Sequence, residues 1–373
     1  MKRILIDGRP LTTTSAGITN FLKCCITEWA KLAPEDIFYI ALPKAIDYTS
    51  NGWTIEKNMK IIIENNIILQ KIPNLIWLNI IVPQLAKKYR IDIYFSALPC
   101  YPYFLPKRTK KVIVVHDVVN IEYKNTMQLS NIIANKLFFK RSIKNADILW
   151  SNSNYTKSKI IQYFPDRKSK EIFVGDAAES IFKQQPLTEK DKLKIKMDLK
   201  IEQDFILFVG SLEPRKNLAF LLQLMPELYK RTNLQLVIVG AKKWKNSQIR
   251  TIIEKESFPR KSVVFCNFVS IDTLVNLYNL AKCYVSTSLN EGFGMPQLEA
   301  LLCGCPVVTA HNSAMIEVAK GKTGAYTVEG YKPEEWINKI ITAINSGTRP
   351  NKSELKKYNW NNILKKFIFQ YLK

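Results

Sequence analysis

Two carboxylates, Glu291 and Glu299, stand eight residues apart in Glu-Gly-Phe-Gly-Met-Pro-Gln-Leu-Glu. Gly292 and Gly294 lack a Cβ, so the backbone between the carboxylates can turn tightly and approach a ligand closely. Pro296 suits the start of a helix, where its missing N–H costs nothing. Free backbone N–H groups gather at such a start, ready for a phosphate or a sugar hydroxyl. A second charged set, Arg215-Lys216, follows the apolar run 205–210 within Gly-Ser-Leu-Glu-Pro-Arg-Lys-Asn. An arginine fork grips oxyanions through paired bonds, and a lysine adds a point charge. A third set, His116-Asp117, ends the buried-strand run 111–115. A polar pair at a strand's carboxyl end is better placed for chemistry than a histidine on a helix face. His116 is one of only two histidines, which argues against a His-rich metal centre. Gly17, in Ser-Ala-Gly-Ile-Thr-Asn-Phe, opens the first helix, where a loop meeting a helix N-terminus suits phosphate or acceptor contact.

The elements around these residues must position them. Residues 283–287 read as a short buried strand, 296–303 as a helix, and Gly304 as its left-handed close before a strand at Pro306-Val307-Val308. That spacing places Glu291 in a loop and Glu299 in the first helical turn. Across the second half, strands at 205–210, 234–240, 263–265, 283–287 and 306–309 alternate with helices near 217–230, 246–257, 271–280, 296–303 and 313–320. Such alternation means a parallel sheet covered on both faces. The first half repeats the pattern, with strands at 3–7, 37–41, 91–95, 112–115 and 148–150. Its helices fall near 17–32, 73–89, 127–144 and 154–163. At 373 residues the chain suits two Rossmann-like domains, drawn at 1–185 and 186–353. In the tail 354–373, Trp360, Ile363, Leu364, Phe367, Ile368 and Tyr371 recur at helical spacing opposite Lys365 and Lys366, a stripe that needs a partner surface. Ligands of such sheets bind outside the carboxyl ends of the strands, and the charged sets all fall there.

The carboxylate segment, with Gly-Cys-Pro-Val-Val after it, resembles the acidic signature of family 4 retaining glycosyltransferases, of the "glycosyl transferases group 1" type. The resemblance covers most of the chain and is densest over 205–328. It implies a GT-B fold, an α/β architecture of two facing Rossmann-like domains, with the last helix crossing back to the first domain. It also implies a hexosyltransferase that uses a nucleoside-diphosphate sugar as co-substrate, with no metal and no other cofactor. The loop 210–217 resembles the family's diphosphate-binding loop, so Arg215 and Lys216 would stabilise the departing diphosphate. Glu291 would hold hydroxyls of the transferred sugar and Glu299 those of the ribose, assisted by backbone N–H groups around Gly294 and Met295. Phe293 and Gly292 complete that donor loop. His116 with Asp117 resembles the family's His-Asp element beside the donor, which implies positioning rather than a nucleophilic role, and Gly17 matches a donor-side glycine. There are departures. Thr19 and Asn20 stand where relatives often carry a basic residue, Ile316 stands where the family usually shows proline before Glu317, and 173–177 lacks the usual Asn-Gly.

Composition narrows the setting. No apolar stretch reaches the roughly 18 residues that span a bilayer, and the short apolar run after Met1-Lys2-Arg3 is no signal peptide. Seven cysteines without zinc spacing fit reduced thiols and a cytoplasmic chain. The net charge of +23 raises nucleic-acid binding as a rival. However, residues 1–185 hold 27 Lys/Arg against 15 Asp/Glu and the remainder 28 against 17, so the excess is spread and no nucleic-acid partner is expected. The aromatic loop Tyr101-Pro102-Tyr103-Phe104, followed by Lys107-Arg108-Thr109-Lys110-Lys111, suits the headgroup region of an anionic membrane. So does the helix 127–144, with Lys136, Lys140, Arg141 and Lys144 among Leu137, Phe138 and Phe139. Contact with the cytoplasmic face of an inner membrane is therefore a second expectation. The expected donor is GDP-mannose, then a UDP-sugar, and the acceptor a saccharide or lipid-linked saccharide of bacterial surface polysaccharide or lipopolysaccharide. The rivals are a nucleotide-sugar epimerase on the same fold and a scaffold without transfer activity.

Overall fold

In the computed structural model, residues 1–12, 16–47, 53–118, 121, 138–240 and 247–372 are described. Two compact units are present, Met1–Glu179 with Lys357–Lys373, and Ser180–Lys356. The first is built on seven parallel strands: β1 (Arg3–Asp7), β2 (Ile37–Leu42), β3 (Met59–Ile63), β4 (Ile93–Ser96), β5 (Lys110–Val115), β6 (Ile148–Ser151) and β7 (Ile172–Val174). Their order is β3-β2-β1-β4-β5-β6-β7, so the direction of winding reverses between β1 and β4. The second has six: β8 (Phe205–Val209), β9 (Gln235–Val239), β10 (Val263–Cys266), β11 (Cys283–Ser286), β12 (Val307–Ala310) and β13 (Ala325–Val328). Here the order is β10-β9-β8-β11-β12-β13, and the reversal falls between β8 and β11.

Central strands such as Phe-Ile-Leu-Phe-Val (205–209) and Gln-Leu-Val-Ile-Val (235–239) are buried on both faces, as parallel strands covered by helices must be. Seven of the expected helices are found within two residues at either end, among them Ala16–Leu32, Asn154–Tyr163 and Ile271–Leu280. The expected helix 127–144 lies largely outside the described residues, Lys136 and Leu137 included. Its described end is the short helix Lys140–Asn145.

The C-terminal helix Trp360–Phe367 belongs to the first unit. Trp360 stands edge-on to Phe21 at 5.0 Å, and Phe367 meets Trp29 at 5.6 Å, Trp150 at 4.7 Å and Phe173 at 5.2 Å. This is the partner surface that the apolar stripe requires. Lys365 and Lys366 stay exposed.

Candidate active site

Between β8 and the helix Leu218–Thr232 the chain makes a tight 3-10 turn, Pro214–Lys216, and Asn217 adopts a left-handed conformation (φ 52°). The loop after β11 is latched onto this turn. Thr287 Oγ1 donates to the Asn217 carbonyl at 2.9 Å, and the Leu289 N–H donates to the Arg215 carbonyl at 2.7 Å. Two loops from the strands that flank the reversal are thus held together, and they carry the charged residues.

Glu291 is buried at their junction. Arg215 Nη1 lies 3.0 Å from its Oε2, Lys216 Nζ bonds its Oε1, and Ser288 Oγ donates to Oε1 at 2.8 Å. Burial alone would raise the carboxyl pKa. The Lys216 and Arg215 charges, with the Lys216 and Ser288 bonds, outweigh it and hold the pKa below its ordinary value. Glu291 is therefore a carboxylate that spends one negative charge on two cations, leaving the trio at +1. Arg215 is also bonded to Glu213 at 2.8 Å, and its side chain is 27% exposed against 11% for Lys216. The more open cation is the one that an incoming anion can reach.

The helix carrying Glu299 runs Met295–Leu302. Glu299 is its fifth residue and stands in the second turn, a correction to the expected first turn, because the helix begins directly after Gly294. Gly294 has φ +95°, a conformation that L side chains rarely adopt, so the glycine is required there. Gly304 closes the helix at φ +76°, as expected. Glu299 Oε2 accepts from Tyr278 Oη at 2.9 Å. Gly292 and Phe293 are buried beside Glu291, and Met295 is half-buried.

In sequence, His311-Asn312-Ser313 is legible as a polar run like the family's, without a role in holding this loop. Ser313 Oγ accepts from the Glu291 N–H at 3.0 Å and donates to Asn312 Oδ1 at 2.9 Å. Asn312 Nδ2 donates to the Ser288 carbonyl at 3.2 Å, and Tyr331 Oη donates to the same carbonyl at 2.9 Å. Ser313 itself sits at φ 49°. Serines are too common for spacing alone to single them out. Asn312 and Ser313 thus hold the backbone of the loop that carries the central carboxylate.

In the first unit, His116 follows β5. Its Nε2 meets the Ala97 carbonyl at 3.0 Å, and its ring stands edge-on to Phe21 at 4.8 Å. A carbonyl only accepts, so Nε2 carries the proton and Nδ1 is left as an acceptor when the ring is neutral. Burial lowers its pKa to about 4, against a smaller opposing effect of the Ala97 bond, so neutral imidazole is the form near pH 7. Asp117 follows, half-buried. Gly17 is the second residue of the helix Ala16–Leu32, with open space where a Cβ would stand.

A buried cluster at the ends of β1 and β4 was also missed. Asp7 Oδ2 accepts from Arg9 Nη2 at 2.6 Å, Ser96 Oγ at 2.8 Å and Tyr94 Oη at 3.2 Å. The polar Asp7-Gly8-Arg9 ending of an apolar strand was the available signal. Its members are spent on one another, and they fix the turn after β1.

Among the described residues, no group of three or more His, Cys, Asp or Glu side chains is placed to hold a metal ion. Nor is any helix among them long and apolar enough to cross a membrane.

Comparison with known proteins bears on the family and the fold. Residues 189–360 match the family model described as glycosyl transferases group 1. An uncharacterized glycosyltransferase of Methanocaldococcus jannaschii is 30% identical over 200 residues, 50% of this chain and 49% of that protein. The O-antigen chain mannosyltransferase B of Escherichia coli is 24% identical over 286 residues, 72% of each chain. The chain thus spans about half the length of the first of these relatives and nearly three quarters of the second. Among solved structures, the sucrose-phosphate synthase from Thermosynechococcus elongatus superposes with a TM-score of 0.73 at 15% identity, covering 100% of this chain and 98% of that one. At that identity the likeness speaks for the fold, the GT-B architecture of two parallel-sheet units. Residues 189–360 thus resemble the group 1 glycosyl transferases.

Proposed function

We propose that this chain is a retaining hexosyltransferase that moves a sugar from a nucleoside-diphosphate donor to a hydroxyl of a saccharide or lipid-linked saccharide, without a metal. The observation that carries the reading is the ion-paired trio of Arg215, Lys216 and Glu291, with Lys216 and Glu291 buried, where the second sheet reverses its winding. In the reaction, the bond between the anomeric carbon and the diphosphate oxygen breaks and a bond to the acceptor oxygen forms. The acceptor proton passes to an oxygen of the departing diphosphate and from there to water, so the diphosphate departs with its charge increased. Arg215 and Lys216 bring the positive charge which that step needs, fixed before the reaction begins. Glu291 orients sugar hydroxyls and Glu299 those of the ribose. Gly292, Phe293, Gly294 and Met295 shape the donor loop. His116 accepts from a donor hydroxyl through Nδ1, with Asp117 beside it and Gly17 giving open backbone.

The likeness to an O-antigen chain mannosyltransferase supports mannose as the sugar and surface polysaccharide assembly as the setting. GDP is the proposed carrier. The test is a thermal shift with GDP, UDP, dTDP, ADP and CMP. At a hundred times its dissociation constant a ligand adds about 2.7 kcal/mol, worth several degrees. A rise with GDP alone is expected. A rise with UDP alone would replace the base, and no rise with any diphosphate would overturn the reading.

A further inference from the structure

We propose that the first unit docks on an anionic lipid bilayer through an apolar tip formed by Ile76, Ile80, Tyr103 and Phe104. Phe104 is 79% exposed, Ile76 47%, Ile80 45% and Tyr103 40%. Single exposed apolar residues are ordinary, but these four are neighbours. Ile76 and Ile80 lie four residues apart on the helix Asn74–Lys88 and share one face of it. Asn79, between them in sequence, accepts the Tyr103 N–H at 2.9 Å, which brings the loop to that helix. Arg141 stacks on Tyr103 at 4.0 Å and on Tyr101 at 4.6 Å, and donates to the Tyr103 carbonyl at 3.3 Å. Phe138 stands edge-on to Tyr103 at 5.2 Å. The loop is therefore pinned from two sides, while the Phe104 ring is left to water.

The charge around the tip selects the occupant. The loop itself, residues 97–108, holds Lys107 and Arg108 and no acidic residue. Lys107, Arg108 and Lys140 are exposed on the segments that carry or pin the loop. An aromatic and aliphatic tip with a basic rim matches the boundary between acyl chains and anionic headgroups. A nucleic acid would use the rim but leave the apolar tip exposed. The loop leaves the carboxyl end of β4, and the N-terminal half of Asn74–Lys88 lies toward the same ends of the strands. Resting on the transferase reading, the docked unit would meet a lipid-linked acceptor at the bilayer surface.

The experiment is flotation of the full chain with vesicles of phosphatidylcholine alone and of phosphatidylcholine with phosphatidylglycerol, without donor. Binding to the anionic vesicles that weakens between roughly 0.1 and 0.5 M salt is expected. Phe104→Ser with Ile80→Ser should weaken it at least tenfold, and Lys107→Gln or Arg108→Gln about fivefold each. Lys190→Gln with Lys194→Gln, exposed positions on the other unit, should change nothing. Both apolar substitutions are at exposed sites, so the melting temperature and the GDP shift should match those of the parent chain. Absence of binding to anionic vesicles, equal binding to neutral ones, an unaffected Phe104→Ser/Ile80→Ser variant, or an equal loss at Lys190 and Lys194 would each overturn the proposal. Because no donor is present, it fails or stands apart from the transferase reading.

Discussion

Glu291 is held by two cations and a serine hydroxyl, so the three charged residues answer differently to substitution. Arg215 has a second partner in Glu213 and a partly open side chain. Arg215→Ala should cut transfer by about 10²–10³ while moving the melting temperature little, which steady-state rates and a thermal melt would separate. Lys216 is enclosed against Glu291, and Lys216→Ala leaves that buried carboxylate short of a partner. A stability loss of about 1–3 kcal/mol should accompany its loss of rate, read from the urea midpoint. Full activity in Arg215→Ala would sink the leaving-group assignment. His116 gives a prediction in pH. Its folded pKa of about 4 lies below the ordinary 6.5, so the unfolded chain binds the proton more readily between those values. The contribution to stability is complete above about pH 6.5 and is lost as pH falls toward 4, on the order of 3 kcal/mol in all. His116→Asn should flatten the dependence of the urea midpoint between pH 7 and 5. An unchanged slope would mean that another group carries the titration.

At the scale of elements, the donor-loop unit was largely legible because its signals are local. A left-handed glycine, a proline near the helix start and a closing glycine fix Met295–Leu302 within a residue at either end. The three strands that sequence reading left out, β3, β7 and β13, are all at sheet edges. Two of them, Met-Lys-Ile-Ile-Ile and Ala-Tyr-Thr-Val, are only partly covered, and β7 is mostly buried but has just three residues, so none shows the longer apolar run that marks a central parallel strand. The helix Pro333–Asn345 was missed although its signals were present: a leading proline, Glu334 and Glu335 in the first turn, and Trp336, Ile337 and Ile340 buried. The Ser288–Asn312–Ser313 support was not legible, because those contacts join loops far apart in sequence. The C-terminal helix was, since its stripe predicts a buried face without naming its partner. Phe367 is fully buried among Trp29, Trp150 and Phe173. Phe367→Ala should cost about 3–5 kcal/mol, seen as a lower urea midpoint for the first unit. A loss below about 1 kcal/mol would show that the helix is an appendage rather than part of that core.

For the whole molecule the question is whether +23 net charge is a binding device or a background. The excess is shared almost evenly between the halves, and much of it is exposed lysine such as Lys190, Lys194, Lys200 and Lys356. Exposed charges are screened over about 10 Å at 0.1 M salt and about 3 Å at 1 M, so attraction to polyanions should collapse as salt rises. The cations of the trio are different. Lys216 is buried and Arg215 is anchored by Glu213 and Glu291, where screening by mobile ions is weak. Heparin and duplex DNA should therefore bind the chain at roughly 50 mM salt and release it by about 0.5 M. The melting-temperature rise produced by saturating GDP should keep most of its size over the same interval. Parallel loss of both signals would make the nucleotide one more polyanion on a basic surface. Retention of the GDP shift after heparin has gone would separate a built diphosphate site from the charge that surrounds it.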